Sequence, residues 1–175
     1  MTIFNFGNGP VPAHRHPNGG GWVADTASVA ETAYVGPDAR VFENAQIFGY
    51  ARVFENAWVF GNARVFGNTQ IFGYAWISGY AQVFGKTQVF GNTRVCGDAK
   101  LIGGEWTTAP LQIHGTRDVL CQCSPTEVAI GCEIHSISHW LENYKAIGKK
   151  HRYSEEEIRE YYDHLQYFQK RMKND

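Results

Sequence analysis

The sequence predicts a parallel β-helix, a solenoid of short stacked strands, because a six-residue pattern runs without interruption through residues 23–106. Read in sixes from Val23, this stretch gives 14 hexads, and the first position of each is Val, Ile or Leu. The fifth position is Ala or Thr in the first 13 hexads. A period of six equals three strand periods of two and does not match the helical period of 3.6, so strands are expected throughout.

The hexad positions separate into inward, outward and turn residues. An unbroken column of branched aliphatic side chains at position one must point inward, and strand alternation then places position five inward as well. Positions six and two point outward, and positions three and four, usually Gly-Asn or Gly-Tyr, form the turns. In known hexapeptide β-helices, which this repeat resembles, three hexads make a triangular coil of 18 residues, and the resemblance therefore implies about 4.7 coils and roughly 22 Å of stack.

Outward residues 18 positions apart are expected to stack on one face of the solenoid. One such column is Arg40, Trp58, Trp76 and Arg94, and the column beside it is Phe42, Phe60, Ser78 and Cys96. Phe occupies the second position of eight hexads, which places an apolar ladder on every face. A monomer rarely exposes so much apolar surface, so the ladders predict a homotrimer around a threefold axis.

Residues 1–22 precede the repeat and are rich in Gly, Pro and Asn. This composition predicts a capping segment without regular structure, in which Trp22 or Phe4 closes the open end of the first coil. His14 and His16 flank Arg15 here, and a solvated loop is favoured over a metal or phosphate site.

Two further segments follow the repeat. Residues 107–135 are interpreted as an irregular β extension that continues the stack, with strands at Leu111–Gly115, Asp118–Cys123 and Val128–His135. Residues 136–175 are interpreted as a helical tail. The first helix spans Ser136–Ile147, and the second runs from Ser154 to about Met172, opened by a capping box between Ser154 and Glu157. The aromatic stripe of the second helix is expected to pack against the β-helix or a neighbouring subunit.

Length and charge narrow the function classes. The chain has 175 residues, a length that predicts one domain with an appendage. Its formal net charge is −1. No field of one sign is available to recruit a nucleic-acid polymer or an anionic membrane. No apolar run is long enough to cross a bilayer, and no signal peptide opens the sequence, so a cytoplasmic protein with reduced cysteines is expected.

The repeat resembles the left-handed β-helix of hexapeptide-repeat proteins, which include acyltransferases and γ-class carbonic anhydrases. This resemblance implies left-handed coils and a trimer with sites between subunits. A resemblance over nearly the whole chain runs from GGGWVADTASVAETAYVGPDARV through PLQIHGTRDV to IGCEIHSISHWLENYKAIGKKHRYSEEEIREYY. It is to small hexapeptide-repeat proteins of bacteriophage genomes, usually labelled putative transferase or hypothetical, and it implies a phage origin without an established activity.

The positions of histidine bear on both enzyme classes that the resemblance implies. A γ-class carbonic anhydrase needs three metal-binding His, two of them within its coils, and residues 23–106 contain none. An acyltransferase of this fold uses a His base near a subunit cleft, and here only the residues outside the coils could supply one. His114, just after the last hexad, is the candidate base, although a structural role for it is favoured on general grounds.

The C-terminal part of the sequence also contains a possible metal-binding pattern. Cys121, Cys123, Cys132 and His135 could supply four zinc ligands, and strand alternation places Cys121 and Cys123 on the same side of a strand. The C-x-C spacing is not that of a usual zinc knuckle, so buried apolar thiols are favoured. No metal and no cofactor is therefore expected.

The column of Arg40, Trp58, Trp76 and Arg94 is the most specific outward feature. Planar bases stack on indoles, and arginine binds phosphate with two donors, so this composition suits a small anionic ligand such as a cyclic nucleotide. Ser78 opens space beside Trp76 where other hexads carry Phe. The alternative is that the two Trp pack in a trimer interface, with the Arg stacked on them as cation–π lids.

Three hypotheses for function follow from these patterns. The first is a non-catalytic trimer that sequesters a nucleotide signal of a host defence system, with Arg40, Trp58, Trp76, Ser78 and Arg94 as ligand-binding residues. The second is an acyl-CoA-dependent acyltransferase that uses His114 as its base. The third is a structural or protein-binding trimer that recognises its partner through the Phe ladders. The sequence favours the first.

Overall fold

The structure is a computed structural model that describes residues 2–172. Met1 and residues 173–175, the outermost parts of the predicted N-terminal cap and helical tail, lie outside the described residues. The chain divides into two compact units, one ending at Ala109 and the other beginning at Pro110. The first unit is a β-solenoid, and the second combines an antiparallel sheet with two helices.

The N-terminal segment contains regular strands, contrary to the prediction from its composition. Strands β1 (Ile3–Asn5) and β2 (Pro10–Arg15) are antiparallel, and β2 also pairs antiparallel with β3 (Trp22–Ala24), the first strand of the solenoid. Pairing with an existing sheet edge supplies hydrogen bonds that offset the weak strand preference of Gly and Pro. The hairpin therefore extends one sheet of the solenoid by two strands.

His16, which the sequence analysis expects in a solvated loop, is buried beside the first coil. It is 3% exposed. Its Nδ1 accepts from the Asn18 N–H at 3.1 Å, so its Nε2 carries the proton and donates to the Ala30 carbonyl at 3.2 Å. Trp22 and Phe4, one or the other of which is predicted to close this end, instead stack on each other on an outer face with ring centroids 4.4 Å apart.

The other strands of the solenoid recur every six residues up to the last corner and build three parallel sheets. They are β4 (Ser28–Val29), β5 (Tyr34–Val35), β6 (Arg40–Val41), β7 (Gln46–Ile47), β8 (Arg52–Val53), β9 (Trp58–Val59), β10 (Arg64–Val65), β11 (Gln70–Ile71), β12 (Trp76–Ile77), β13 (Gln82–Val83), β14 (Gln88–Val89), β15 (Arg94–Val95), β16 (Lys100–Leu101) and β17 (Glu105–Trp106). The sheet orders are β1-β2-β3-β6-β9-β12-β15, then β16-β13-β10-β7-β4, and β17-β14-β11-β8-β5. A parallel solenoid of about five turns is thus confirmed.

The interior is filled by positions one and five of the hexads. The first-position residues Val53, Ile71 and Val89 stack in one sheet and have no exposed surface. Fifth-position residues such as Ala57 are also fully buried. Where Thr replaces Ala, its hydroxyl is satisfied locally, as when Thr69 donates to the carbonyl three residues earlier at 2.8 Å. The interior is therefore apolar, and its hydroxyls are hydrogen-bonded.

The corners are stacked turns, and from Glu43 to Gly97 the third hexad position has a positive φ. Glycine holds most of these positions, but Glu43 and Glu55 adopt φ of 58° and 54°. Their carboxylates accept from the N–H of the glycine one coil further on, Gly61 at 2.8 Å and Gly73 at 2.9 Å. These hydrogen bonds offset a backbone conformation that side chains with a Cβ disfavour.

We expect Glu55→Ala to lower the free energy of unfolding by about 1 kcal/mol, because the hydrogen bond to Gly73 is lost while the strain remains. Glu55→Gly should have a net effect of about zero, because relief of about 1 kcal/mol of left-handed strain offsets the lost hydrogen bond. Urea denaturation of the two variants checks the order. Equal losses would contradict the assignment of strain to Glu55.

The last turn of the solenoid departs from the predicted phase. Strand β17 pairs with β14 so that Trp106 lies beside Val89, 17 residues away instead of 18. The corner is one residue shorter, with Gly103 and Gly104 at the bend and Gly104 at φ 84°. Trp106 is therefore an inward residue, 7% exposed, whereas the hexad pattern placed it outward.

The second unit contains an antiparallel sheet instead of a continuation of the stack. Its strands are β18 (Gln112–His114), β19 (Val119–Gln122), β20 (Glu127–Ile130) and β21 (Glu133–Ser136). They pair in sequence order, each antiparallel to the next. The predicted strand Val128–His135 is two strands, because the chain reverses at Gly131, where φ is 56°.

Helices α1 (Ile137–Lys150) and α2 (Glu155–Met172) complete the second unit, as the predicted C-terminal helices. The capping box of α2 is confirmed. The Ser154 N–H donates to the Glu157 carboxylate at 2.7 Å, and the Ser154 hydroxyl oxygen accepts from the Glu157 N–H at 3.1 Å. Helix α1 runs through Gly148, and Arg152, at φ 60°, is the left-handed residue after it.

One core joins the sheet and the helices of this unit. Its buried residues are Leu120, Val128, Ile130, Trp140, Tyr161, Leu165 and Phe168. The aromatic stripe of α2 thus packs within its own unit, a partner that the sequence analysis did not name. Neither helix in the described part of the chain is apolar over the length that a bilayer crossing requires.

Candidate functional site

The predicted Trp/Arg column exists and is straight. Strand pairing places Arg40 beside Trp58, Trp58 beside Trp76, and Trp76 beside Arg94. We call these four residues the indole–guanidinium column. They occupy the outward first residue of β6, β9, β12 and β15, because each coil contains 18 residues without insertion.

The rings and guanidinium groups of the column stack on one another. The indoles of Trp58 and Trp76 are nearly parallel, with centroids 5.1 Å apart and 6° between their planes. The Arg40 guanidinium lies 4.9 Å from the Trp58 ring, and the Arg94 guanidinium lies 4.6 Å from the Trp76 ring. The two Arg thus form the cation–π lids that one interpretation of the sequence predicted.

The column continues beyond the residues that the sequence analysis selected. Trp22 pairs with Arg40 on the next strand, and Phe4 of the N-terminal hairpin stacks on Trp22. The guanidinium of Arg15 lies 4.2 Å from the Trp22 ring. Trp22 could have been found, since it stands 18 residues before Arg40, but Phe4 and Arg15 arrive through hairpin pairing that has no periodic signal.

The neighbouring column supports the aromatic rings from the side. Phe42 and Phe60 are stacked 4.9 Å apart with 2° between their planes, and each meets an indole edge-on, at 5.9 and 6.1 Å. Ser78 and Cys96 continue this column. Their small side chains end the ring packing on this side, so Arg94 lacks the flanking Phe ring that Trp58 and Trp76 each have.

The column presents unpaired donors. Among residues 2–172, neither Arg40 nor Arg94 forms an ion pair with a carboxylate, and no acceptor hydrogen-bonds the indole N–H of Trp58 or Trp76. Arg94 is exposed, whereas Arg40 is half-buried. Planar cations that already rest on rings are pre-positioned to bind an anion with little further loss of side-chain freedom.

The indole faces are covered by their neighbours in the chain. Trp58 lies between Arg40 and Trp76, and Trp76 lies between Trp58 and Arg94. A flat ligand therefore meets ring edges along the column, and reaches an indole face only where a guanidinium moves aside. The open ends of the stack are the positions where a further planar group can add.

His114 ends strand β18 in the second unit and is exposed. Within the described chain, no hydrogen bond orients its ring. The residue opposite His114 on the neighbouring strand β19 is Val119. A third group commonly orients the general base of a catalytic pair, and the described residues form no such contact with the His114 ring, so no role is assigned to it.

The four suggested zinc ligands are not brought together. Cys121 is in register with Ala129 of β20, whereas His135 of β21 is in register with Val128, so the two lie on opposite faces of the pleated sheet. Cys121 and Cys123 are buried and Cys132 is exposed. No group of three potential ligands forms among the described residues.

His135 belongs to a charged cluster around Glu133. The Glu133 carboxylate accepts from Lys150 at 2.8 Å, from His151 at 2.9 Å and from His135 at 3.2 Å. These hydrogen bonds, first from Lys150 and then from His151, lower the pKa of Glu133 to about 2. The cluster ties α1 to the adjoining strand β21.

Comparison of the chain with known proteins gives no family assignment. No protein-family model, no curated protein and no solved structure matches it. The function is therefore argued from the column and its geometry.

Proposed function

We propose that this protein is a non-catalytic, homotrimeric binding protein that retains a small anionic ligand, a nucleotide, at the indole–guanidinium column. The observation that carries the proposal is the exposed guanidinium of Arg94. It has no ion pair within residues 2–172 and is held 4.6 Å from the Trp76 ring. Arginine binds phosphate with two donors, and a guanidinium plane also stacks on bases.

The Arg94 end of the column is the binding position. Arg40 lies between the rings of Phe4 and Trp58, at 5.5 and 4.9 Å, whereas Arg94 rests on Trp76 alone. Arg94 also belongs to the last strand of its sheet. Three coil steps separate the two Arg, about 14 Å at strand spacing, so one small ligand engages one end.

In this arrangement the column supplies one surface for each part of a nucleotide. The phosphate is held by the Arg94 fork, and the base stacks on the outer face of the guanidinium or displaces it to reach Trp76. Ser78 stands where other hexads of the neighbouring column carry Phe, and it adds a hydroxyl. Arg40 and Trp58 keep the stack in register, so that Trp76 is held in place before the ligand arrives.

We further propose left-handed coils and a threefold assembly, as in the hexapeptide-repeat proteins that the sequence resembles. The two other faces carry stacked, half-buried Phe ladders. They are Phe54, Phe72 and Phe90 on one face, and Phe66 and Phe84 on the other, with neighbouring centroids 4.8 to 5.0 Å apart. Burying them between chains removes apolar area from water at about 25 cal/mol per Å², and leaves the column face available.

The biological role that we propose is sequestration. A protein that binds a host nucleotide signal without altering it lowers the free concentration of that signal by mass action. The resemblance of the sequence to small phage proteins supports a phage protein acting against host defence in the cytoplasm of an infected bacterium.

The test is a titration of the purified protein with cyclic mono-, di- and trinucleotides and acetyl-CoA, followed by Trp fluorescence and calorimetry. We expect one nucleotide to bind and to be recovered unchanged after heat denaturation. Arg94→Ala should weaken this binding by about tenfold or more, because a charge-assisted bidentate contact is lost. Trp58→Ala should also weaken it, by loosening the stack.

Lys86→Ala is the control for loss of one positive charge, since Lys86 is an exposed residue at a corner of the solenoid, outside the column and the Phe ladders. It should leave binding unchanged, and sedimentation should show the same trimer for every variant. Loss of the trimer in Arg94→Ala would assign the column to subunit packing. Recovery of an altered nucleotide, or binding of acetyl-CoA alone, would overturn the non-catalytic proposal.

A second candidate is a trimer that binds another protein, and exposed aromatics at the corners favour it. Tyr50, Tyr74 and Tyr80 stand on the three different corners of the solenoid and are 70%, 64% and 65% exposed. Exposed Tyr is frequent at the centres of protein interfaces. No response to any nucleotide in the titration would favour this function.

A further inference from the structure

A cavity of about 550 Å³ lies between the N-terminal hairpin and the first two coils of the solenoid. Its lining comes from the turn between β1 and β2, from β2, from the end of β3 and from the turns that follow β3 and β6. The volume falls within the range of about 300–1,000 Å³ that is usual for small-molecule sites. The cavity is separate from the Arg94 end of the indole–guanidinium column.

The floor of the cavity is apolar. Phe6 and Phe42 are stacked 5.0 Å apart with 22° between their rings, and Val11 and Pro12 of β2 form the adjoining wall. Phe6 and Phe42 are 3% and 5% exposed, so their positions are fixed by packing. A rigid apolar floor favours a ligand with a hydrocarbon or aromatic body.

Two carboxylates stand above this floor without a strong cation. Asp25 and Glu43 occupy the same corner on consecutive coils, so their backbones are about 4.8 Å apart along the stack, and both side chains are exposed. One oxygen of Asp25 meets His14 Nδ1 at 2.8 Å, and one oxygen of Glu43 accepts from the Gly61 N–H. The second oxygen of each has no hydrogen bond within the described chain.

The remaining lining does not compensate this charge. None of the described residues that line the cavity is Lys or Arg, and its other polar groups are the neutral side chains of Asn8, Thr26 and Asn44. A cation held at this corner can donate a charge-assisted hydrogen bond to the free oxygen of each carboxylate, while its apolar part rests on the floor below.

We propose that this cavity binds an organic cation with an apolar body, an ammonium or guanidinium group attached to a hydrocarbon or aromatic portion. The charged end lies between Asp25 and Glu43, and the apolar end lies on Phe6 and Phe42. The same chemistry is offered by a free amine and by a cationic side chain next to an aromatic residue in a peptide. The site is independent of the nucleotide proposed for Arg94.

Calorimetric titration of the intact protein with 2-phenylethylammonium and with 2-phenylethanol tests the proposal, since the two probes differ in charge and hardly in shape. The ammonium should bind about tenfold or more tightly than the alcohol, and its affinity should fall with added salt. A capped tetrapeptide with Arg next to Phe provides a second arm. Binding of the amine, the peptide or both with this charge dependence supports the site and shows which source fits it.

Glu43→Gln and Asp25→Asn should each reduce the affinity for the cation by about tenfold while leaving the alcohol unchanged. Glu43→Gln keeps an oxygen that can accept from the Gly61 N–H, so the corner stays intact. Glu31→Gln is the matched control, because Glu31 holds the same hexad position at a different corner and does not line the cavity.

Thermal unfolding of each variant identifies any general loss of structure. A variant that unfolds early is replaced by the other member of the pair, since either carboxylate alone tests the charge requirement. Equal affinity for the ammonium and the alcohol would overturn the proposal. So would the absence of binding by both cationic probes, or an equal loss of affinity in Glu31→Gln.

Discussion

Replacing Gly79 by alanine is expected to lower the free energy of unfolding by about 2–5 kcal/mol. Gly79 has φ +68°, a left-handed conformation that costs a residue with a Cβ about 1–2 kcal/mol. A Cβ at this position would also stand 2.8 Å from the backbone nitrogen of Gly97 on the next coil. Neither backbone can move without opening the stacked corner, so overpacking adds about 1–3 kcal/mol.

Gly91→Ala is the matched control for this prediction. Gly91 has φ +67°, almost the same as Gly79, but a Cβ there meets nothing within 4 Å. Its substitution should therefore cost only the conformational strain, about 1–2 kcal/mol. Urea denaturation followed by circular dichroism measures both losses. Equal losses would show that the coils separate easily at their corners, against the close stacking in the structure.

The repeat was the part of the fold that sequence could predict best, and the reason is its fixed length. Because no residue is inserted between Val23 and Leu101, each outward residue lies beside the one 18 positions away. The order of Arg40, Trp58 and Trp76 follows from counting alone. Tertiary contacts and local period agree here, which makes the prediction reliable.

The flanking segments were harder to predict because their pairing is not periodic. Side-chain alternation identifies strands but not their direction, so the sequence predicts a continued stack where β18–β21 form an antiparallel sheet. The strands β1 and β2 form although Gly and Pro disfavour strands in this segment, because β2 pairs with β3 and β1 pairs with β2. Nothing local to residues 1–22 indicates that partner.

The sequence could predict which four residues form the column, but it could not predict which ring faces of the column are open. Counting identified Trp76 and Arg94 as neighbours, and the structure confirms this. Whether the indole faces are open depends on side-chain rotamers, and Arg94 rests on the Trp76 face. The resulting correction moves the proposed binding position from the middle of the column to its Arg94 end.

Trp106→Ala is expected to lower the free energy of unfolding by about 3–5 kcal/mol, the usual cost of removing a buried aromatic side chain. Trp106 is 7% exposed and follows Val89 in an inward column. Its indole N–H donates to the Gly103 carbonyl at 2.9 Å, and its carbonyl accepts from the Thr93 hydroxyl at 3.2 Å. The short corner at Gly103 and Gly104 is what turns this side chain inward.

Glu105→Ala separates the observed phase from the one that strict hexads predict. In the hexad phase Glu105 would occupy the inward fifth position, so its replacement by alanine would relieve a buried charge and stabilise the protein strongly. In the structure Glu105 is exposed, and the substitution should change the free energy of unfolding by no more than about 0.5 kcal/mol. A large stabilisation by Glu105→Ala, together with a small effect of Trp106→Ala, would show that the repeat keeps its period through the last coil.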